Sequence, residues 1–308
     1  MALARPSAMP AAPTGLRRGA FDGSGGRAAD CRPMAPGGDA PPIDLDHLAV
    51  AAEQAFDNFA RYFADLGGRV GHGGHDPGFH WSQVVFPNAT GGETAVELLE
   101  PEHVHEHDFL RRFLDRNGPG PHHVTFRVRD LAARLAAVEG LGYQAVSVDL
   151  EHPSWKQAFL HPKQSHGIVV QLSQSDGEPA PGPDPSAFVL PRAALPAELR
   201  RVTLAVADHE AALDLFGVAL GGEQRARGED VDGSWADLVW PGGGAIRLLA
   251  PVDPAVAAWV GMRIGRVHHV VFAVDEPAAV PGARPRGEGA WEVPPEHNLG
   301  TRLRLVRR

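Results

Sequence analysis

His47, Glu97, His123 and Gln171 are the side chains best suited by type and spacing to hold an ion. Each interrupts an apolar run that reads as a β-strand: 43–51, 94–101, 122–128 and 167–173. A carboxylate in a half-buried strand is costly unless it is paired or metal-bound, which singles out Glu97. Taken one at a time, the four have plain explanations: a core histidine, a solvated strand face, a hydrogen-bonded amide. Taken together, they occupy the first and last strands of two successive repeats. Two imidazoles with two oxygen donors suit a divalent first-row metal such as Zn, Mn, Co, Ni or Fe. Glu97 is also a candidate catalytic group. His80, just before a strand expected to line the same cup, is the candidate general base, with a solvent-facing loop histidine as the alternative. A period of two places His47 on one face with Leu45, Ala49 and Ala51, and turns His122 away from His123.

The elements that must position these residues repeat. After the strand at 43–51, Phe56, Phe59, Ala60, Phe63 and Leu66 have helical spacing, stopped at Gly67-Gly68. Strands follow at 69–72, 81–87 and 94–101, then a short helix at 108–116. The pattern restarts with a strand at 122–128, a helix capped by Asp130, and strands at 143–148, 156–160 and 167–173. Residues 43–174 thus read as two βαβββ modules. Residues 199–308 echo them: LAVA at 204–207 over 48–51, AIRLLAP (245–251) over AVELLEP (95–101), and VHHVVFAV (267–274) over PHHVTFRV (121–128). In the last module PAAVPGARP stands where a helix belongs. The fold class expected is α+β, two tandem domains, each a curved mixed sheet forming a cup.

Residues 43–174 resemble the vicinal-oxygen-chelate superfamily, the glyoxalase/bleomycin-resistance/dioxygenase group, and within it the methylmalonyl-CoA epimerase branch. DHLAVA (46–51), VELLEP (96–101), FLRRFLDRNGPGPHHVTFRV (109–128) and AFLHPKQSHGIVVQL (158–172) carry the resemblance. It implies a metal-binding glyoxalase-like domain with His47, Glu97, His123 and Gln171 as ligands. It implies chelation of two neighbouring oxygens on a small oxo-acid or acyl thioester, and an enolate stabilised during isomerisation, epimerisation or lysis. The chain departs from the epimerase pattern in carrying Gln171 where that branch usually has Glu. It also has His72, His75, Asp76 and His80 where an acidic base is usual. An Fe(II) ring-cleaving dioxygenase using His47, His123 and Glu97, or a non-catalytic ligand-binding or resistance protein, are the alternatives. Trp81 and Trp155 are candidate pocket walls. His103, His105 and His107 read as solvent-exposed. Arg111, Arg112 and Lys163 read equally as solvated faces or as contacts for a coenzyme A phosphate.

At the four ligand positions the second unit has Thr203, Arg247, His269 and Arg304. Two guanidinium groups would repel a divalent ion. This degenerate cup is expected to hold an anion or only to pack against the first. Residues 1–42 are rich in Pro, Gly and Ala and read as a disordered tail. Residues 175–198 read as a Pro-rich linker. The 308 residues carry a formal net charge of −9, with no long basic run. A nucleic-acid partner is therefore not expected. No stretch suits a membrane span. One cysteine, Cys31, leaves no disulfide framework. These features fit a cytoplasmic protein with a small-molecule partner, either a monomer with paired domains or a homodimer.

Overall fold

In a computed structural model of the chain, the residues described are 43–175, 196–287 and 289–308. The tail at 1–42 and most of the linker at 175–198 lie outside them. The first half runs β1 (Ile43–Ala51), a 3-10 turn (Ala55–Asn58), a π-type turn (Arg61–Asp65), β2 (Arg69–Asp76), β3 (Phe79–Pro87), β4 (Glu93–Pro101), α1 (Phe109–Asn117), β5 (Gly120–Val128), α2 (Leu131–Gly140), β6 (Ala145–Asp149), β7 (Trp155–Leu160) and β8 (Val169–Ser175). The second half runs β9 (Glu198–Val206), α3 (His209–Leu213), β10 (Glu223–Asp230), β11 (Gly233–Val239), β12 (Ala245–Pro251), α4 (Pro254–Val260), β13 (Gly265–Val274), β14 (Arg284–Pro285), β15 (Ala290–Val293) and β16 (Leu303–Arg307). Where the last module's helix belongs there is only a 3-10 turn, Pro277–Ala279.

Each half is one eight-stranded sheet. The orders are β2-β3-β4-β1-β5-β8-β7-β6 and β10-β11-β12-β9-β13-β16-β15-β14. Within each βαβββ module the first and last strands are parallel: β1 with β4, and β5 with β8. The modules join where β1 runs antiparallel to β5. This puts the first and last strands of both modules, which carry the four candidate ligands, side by side at the sheet centre. The tandem α+β architecture is as expected.

Alternation along these strands sorts the residues. Val96, Leu98, Val124, Phe126, Val170 and Leu172 face a core that continues into the second half through Val202, Leu204 and Phe272. The turns after β1 and the helix α2 supply Phe59, Phe63, Leu131 and Leu135 to the same core. Rings meet across the halves, Phe86 on Phe272 at 5.0 Å and Phe126 on Trp240 at 4.8 Å. The described residues of both halves fall within one compact unit, so the halves share a core and are not beads on a linker. The opposite face of each sheet is a cup. The first is covered by α1 through Leu110 and Leu114, the second by α4 through Val256 and Val260.

The halves meet in reciprocal pairs. The Leu45 N–H donates to the Gly243 carbonyl at 3.0 Å, while Asn88 bridges to Leu199. A Cβ on Gly167 would stand 1.8 Å from the Gly265 carbonyl oxygen, and one on Gly300 would stand 1.9 Å from that of Pro119. Gly167 and Gly300 are equivalent in the two repeats, and both have positive φ, 87° and 71°. Such mutual contacts characterise an isologous interface, here within one chain. Gly167→Ala is therefore expected to destabilise the protein by about 2–3 kcal/mol through a strained φ and a backbone clash. Chemical denaturation measures this, and a loss below about 0.5 kcal/mol would contradict the close approach.

Candidate metal centre

The strands bring three of the predicted ligands together. One donor atom from each of His47, Glu97 and His123 lies within 4.8 Å of the others, and all three residues are buried. His47 Nε2 stands 3.0 Å from Glu97 Oε2, and His123 Nε2 stands 3.7 Å from the same oxygen. Gln171 joins through Thr125, whose hydroxyl donates to Gln171 Oε1 at 2.7 Å and lies 2.8 Å from His47 Nε2. Gln171 Nε2 donates to Gln157 Oε1 at 2.8 Å. That bond fixes the amide so that its carbonyl oxygen, the metal-competent atom, faces the histidines.

Two bulges shape the site. The β1–β5 register slips between Leu45 and His47, so Asp46 is the extra residue. Leu45 consequently enters the core, not the face it was expected to share with His47. The slip also sets Asp46 against the histidine, Oδ2 to Nδ1 at 2.8 Å. A second slip leaves His122 unpaired with β1. His122 therefore does not turn away as the period of two predicts. Its Nδ1 lies 2.8 Å from His123 Nδ1, and its ring packs on Phe113 of α1 at 4.6 Å. A bulge adds one residue and so resets which side chains share a face.

His80, the expected general base, is not brought to this cluster. On β3, Trp81 packs against the cup residues and Gln83 pairs with Glu97, whereas Val84 and Phe86 enter the core. His80 alternates with Trp81 and so faces away from the cup. It stacks on Phe56 and His75, each at 4.2 Å. Trp81 and Trp155 do lie on the cup side, the latter donating from Nε1 to Gln157 at 3.3 Å. His103, His105 and His107 are exposed, as expected. Arg111 is engaged with Glu53 and Asp115, and Arg112 with Asp108. Sequence reasoning missed Thr125, Gln83, Gln157 and the role of Asp46. Of these, only the Asp46-His47 pair left a readable trace, an acid beside a candidate ligand.

Electrostatics suit a cation. Burial opposes charge on the His47 ring, but Glu97 and then Asp46 outweigh it and raise its pKa to about 10. For His123, burial comes first and the neighbouring His122 and His47 add to it, holding the ring well below the usual histidine range. It is neutral, as a ligand must be. A ligating histidine commonly gives its other ring N–H to a carboxylate, and Asp46 stands at that position beside His47. The donor set therefore fits a divalent ion held by His47, Glu97, His123 and Gln171.

These shifts make the metal-free protein sensitive to acid. Burial pushes His122 down to about 4 and His268 down to about 3, and holds His123 and His269 well below the usual range. Below an unfolded-state pKa of about 6.5 the unfolded chain binds more protons than the folded one, so stability falls. The His47 contribution has the opposite sign. It is complete below the unfolded value and is lost as pH rises through about 10. Thermal melting of chelator-treated protein is expected to drop steadily from about pH 6.5 to pH 4, and a flat profile would contradict these burials.

Residues 46–159 match the Glyoxalase/Bleomycin resistance protein/Dioxygenase superfamily. An ethylmalonyl-CoA/methylmalonyl-CoA epimerase of Cereibacter sphaeroides is 30% identical over 134 residues, 42% of this chain and 96% of that protein. The mitochondrial methylmalonyl-CoA epimerase of Homo sapiens is 29% identical over 134 residues, covering 42% of this chain and 73% of the human protein. A mutant of 4-hydroxymandelate synthase from Streptomyces coelicolor matches in fold across 87% of this chain and 93% of its own, with TM-score 0.59 and 13% identity. That match spans both sheets and supports the tandem arrangement. No helix among the described residues is long and apolar enough to cross a membrane. The chain belongs to the glyoxalase/bleomycin resistance/dioxygenase superfamily, with a second sheet of the same topology following the first.

Proposed function

We propose that the first cup is the active site of a metal-dependent isomerase or epimerase, or a lyase of the same enolate chemistry, acting on a small oxo-acid or acyl thioester. The observation that carries this reading is the convergence of His47, Glu97 and His123 with the oriented carbonyl of Gln171. The epimerase relatives support the reaction class. When bound, a divalent ion supplies Lewis acidity toward two neighbouring substrate oxygens and stabilises the enolate form. Asp46 holds His47 in orientation, Thr125 and Gln157 hold Gln171, and Trp81 with α1 walls the cup. With one carboxylate among the four donors, a divalent ion keeps about one net positive charge, which strengthens its pull on substrate oxygens. The reading assigns His80 no proton-transfer role.

A second reading rests on the same trio. Two histidines and one carboxylate suit Fe(II) oxygen chemistry. Metal analysis of purified wild type beside His123→Ala and Glu97→Ala tests the site, with stoichiometric metal expected in wild type alone. Metal-free wild type, or metal retained by both variants, would refute it. Solvent-deuterium incorporation into acyl-CoA or 2-oxo substrates without oxygen uptake supports proton transfer. Oxygen uptake would favour the second reading, and tight binding with neither would make the protein a ligand binder.

A further inference from the structure

The second cup repeats the geometry of the first with inverted charge. Thr203 and Arg201 on β9, Arg247 on β12, His269 on β13 and Arg304 on β16 share its face, since Val202, Leu204, Ile246, Val270 and Leu303 all enter the core. Arg201 and Arg304 both lie opposite Val271 of the strand between them. Adjacent strands are about 4.8 Å apart, so two arginines one strand removed can bring their guanidinium groups together.

Most charges in this cup are matched. Arg247 grips Asp237 with two bonds, 2.6 and 2.8 Å, and lies 3.7 Å over the Trp235 ring. Arg286 reaches Asp232 at 3.1 Å and Glu292 at 3.2 Å, and Arg302 reaches Glu292 at 3.2 Å. Arg304 meets Asp232 through Nη1 at 2.6 Å, while its buried Nε and Nη2 have no hydrogen-bond partner among the described residues. Those two N–H groups form the edge of a guanidinium that pairs with both oxygens of a carboxylate. The buried Nε of Arg201 also has no hydrogen-bond partner among the described residues. Arg201, Arg247, Arg286, Arg302 and Arg304, with Arg266 beside Arg302 over the Trp259 ring, thus outnumber the four carboxylates Asp230, Asp232, Asp237 and Glu292, and Arg201 has no ion pair among the described residues. His268 and His269 are held uncharged chiefly by burial and do not alter that balance.

We infer that the second cup binds a small carboxylate anion between the free edge of Arg304 and the guanidinium of Arg201. Guanidinium charge in excess calls for a negative charge, and a free two-donor edge calls for two coplanar oxygens. Arg201, which no ion pair among the described residues anchors, is the side chain able to swing aside to admit the ligand. This site is separate from the first cup and stands whether or not that cup holds a metal.

The test is thermal melting of the full chain at constant ionic strength, with chloride exchanged for acetate, pyruvate or inorganic phosphate. Wild type is expected to gain about 2 °C or more at roughly 20 mM acetate or pyruvate, and less with phosphate. Glu97→Ala, which disables the first cup, is expected to keep that gain. Arg201→Gln should melt in chloride no lower than wild type, since it removes an unpaired charge, yet gain nothing from carboxylate. Arg304→Lys keeps the charge but loses the two-donor edge, and should also lose the gain. No gain in wild type would overturn the proposal. So would a gain kept by Arg201→Gln or Arg304→Lys, a gain lost in Glu97→Ala, or a larger gain with phosphate.

Discussion

Glu97→Gln is expected to lower divalent-metal affinity by at least about 100-fold, more than the loss typical of an outer-shell partner. The substitution preserves volume and strand position, so the effect isolates charge. Glu97 is the one carboxylate of the candidate ligand set, and it faces both histidines at 3.0 and 3.7 Å. An ion held by His47, His123 and two amides would keep its full two charges in a buried site, at high desolvation cost. A second signature accompanies the first. Glu97 is the largest of the influences that raise the His47 pKa to about 10. In metal-free Glu97→Gln, that pKa should fall, leaving Asp46 to hold the proton alone. NMR titration of the imidazole would read this directly. Equal metal affinity in wild type and variant, or an unmoved His47 titration, would refute the role given to Glu97.

Trp240→Ala is expected to cost about 3–5 kcal/mol and to lower the melting temperature by on the order of 10 °C, in one cooperative transition. Trp240 is 1% exposed, donates from Nε1 to the Leu220 carbonyl at 2.8 Å, and packs on Phe126 of the other half at 4.8 Å. Its removal opens a cavity in a core that both halves use. The first cup should therefore weaken with the second, although Trp240 touches no candidate ligand. Calorimetry resolving two separate transitions, only one of them shifted, would show that the halves fold independently after all.

The candidate ligand set could be assembled from the sequence because two regularities coincided. A period of two fixed the face of each residue along its strand, and the repeat fixed which strands correspond. Glu97 and Gln171 fell on the cup side because Val96, Leu98, Val170 and Leu172 had to be inside. The same rule read across β3 would have placed His80 off the cup face, since Gln83 faces Glu97 and His80 lies three residues away, on the other side of the strand. The bulges were not legible. An extra residue at Asp46 or His122 alters no composition or spacing, yet it moves Leu45 into the core and His122 beside His123. Thr125 was invisible for another reason. A hydroxyl in a strand has no ligand signature, and its place between His47 and Gln171 depends on pairing with both neighbouring strands. The shared core was hidden by the proline-rich stretch between the repeats, which reads as a spacer whatever the halves do.

The reciprocal seam at Gly167 and Gly300 has a consequence for how this protein can change. Two identical chains meeting at such a seam must carry every substitution twice, once in each cup. Joined in one chain, the partners vary separately, so Arg247 and Arg304 can occupy one cup while Glu97 and Gln171 occupy the other. The covalent link also keeps the partners together at any dilution, because their association is unimolecular.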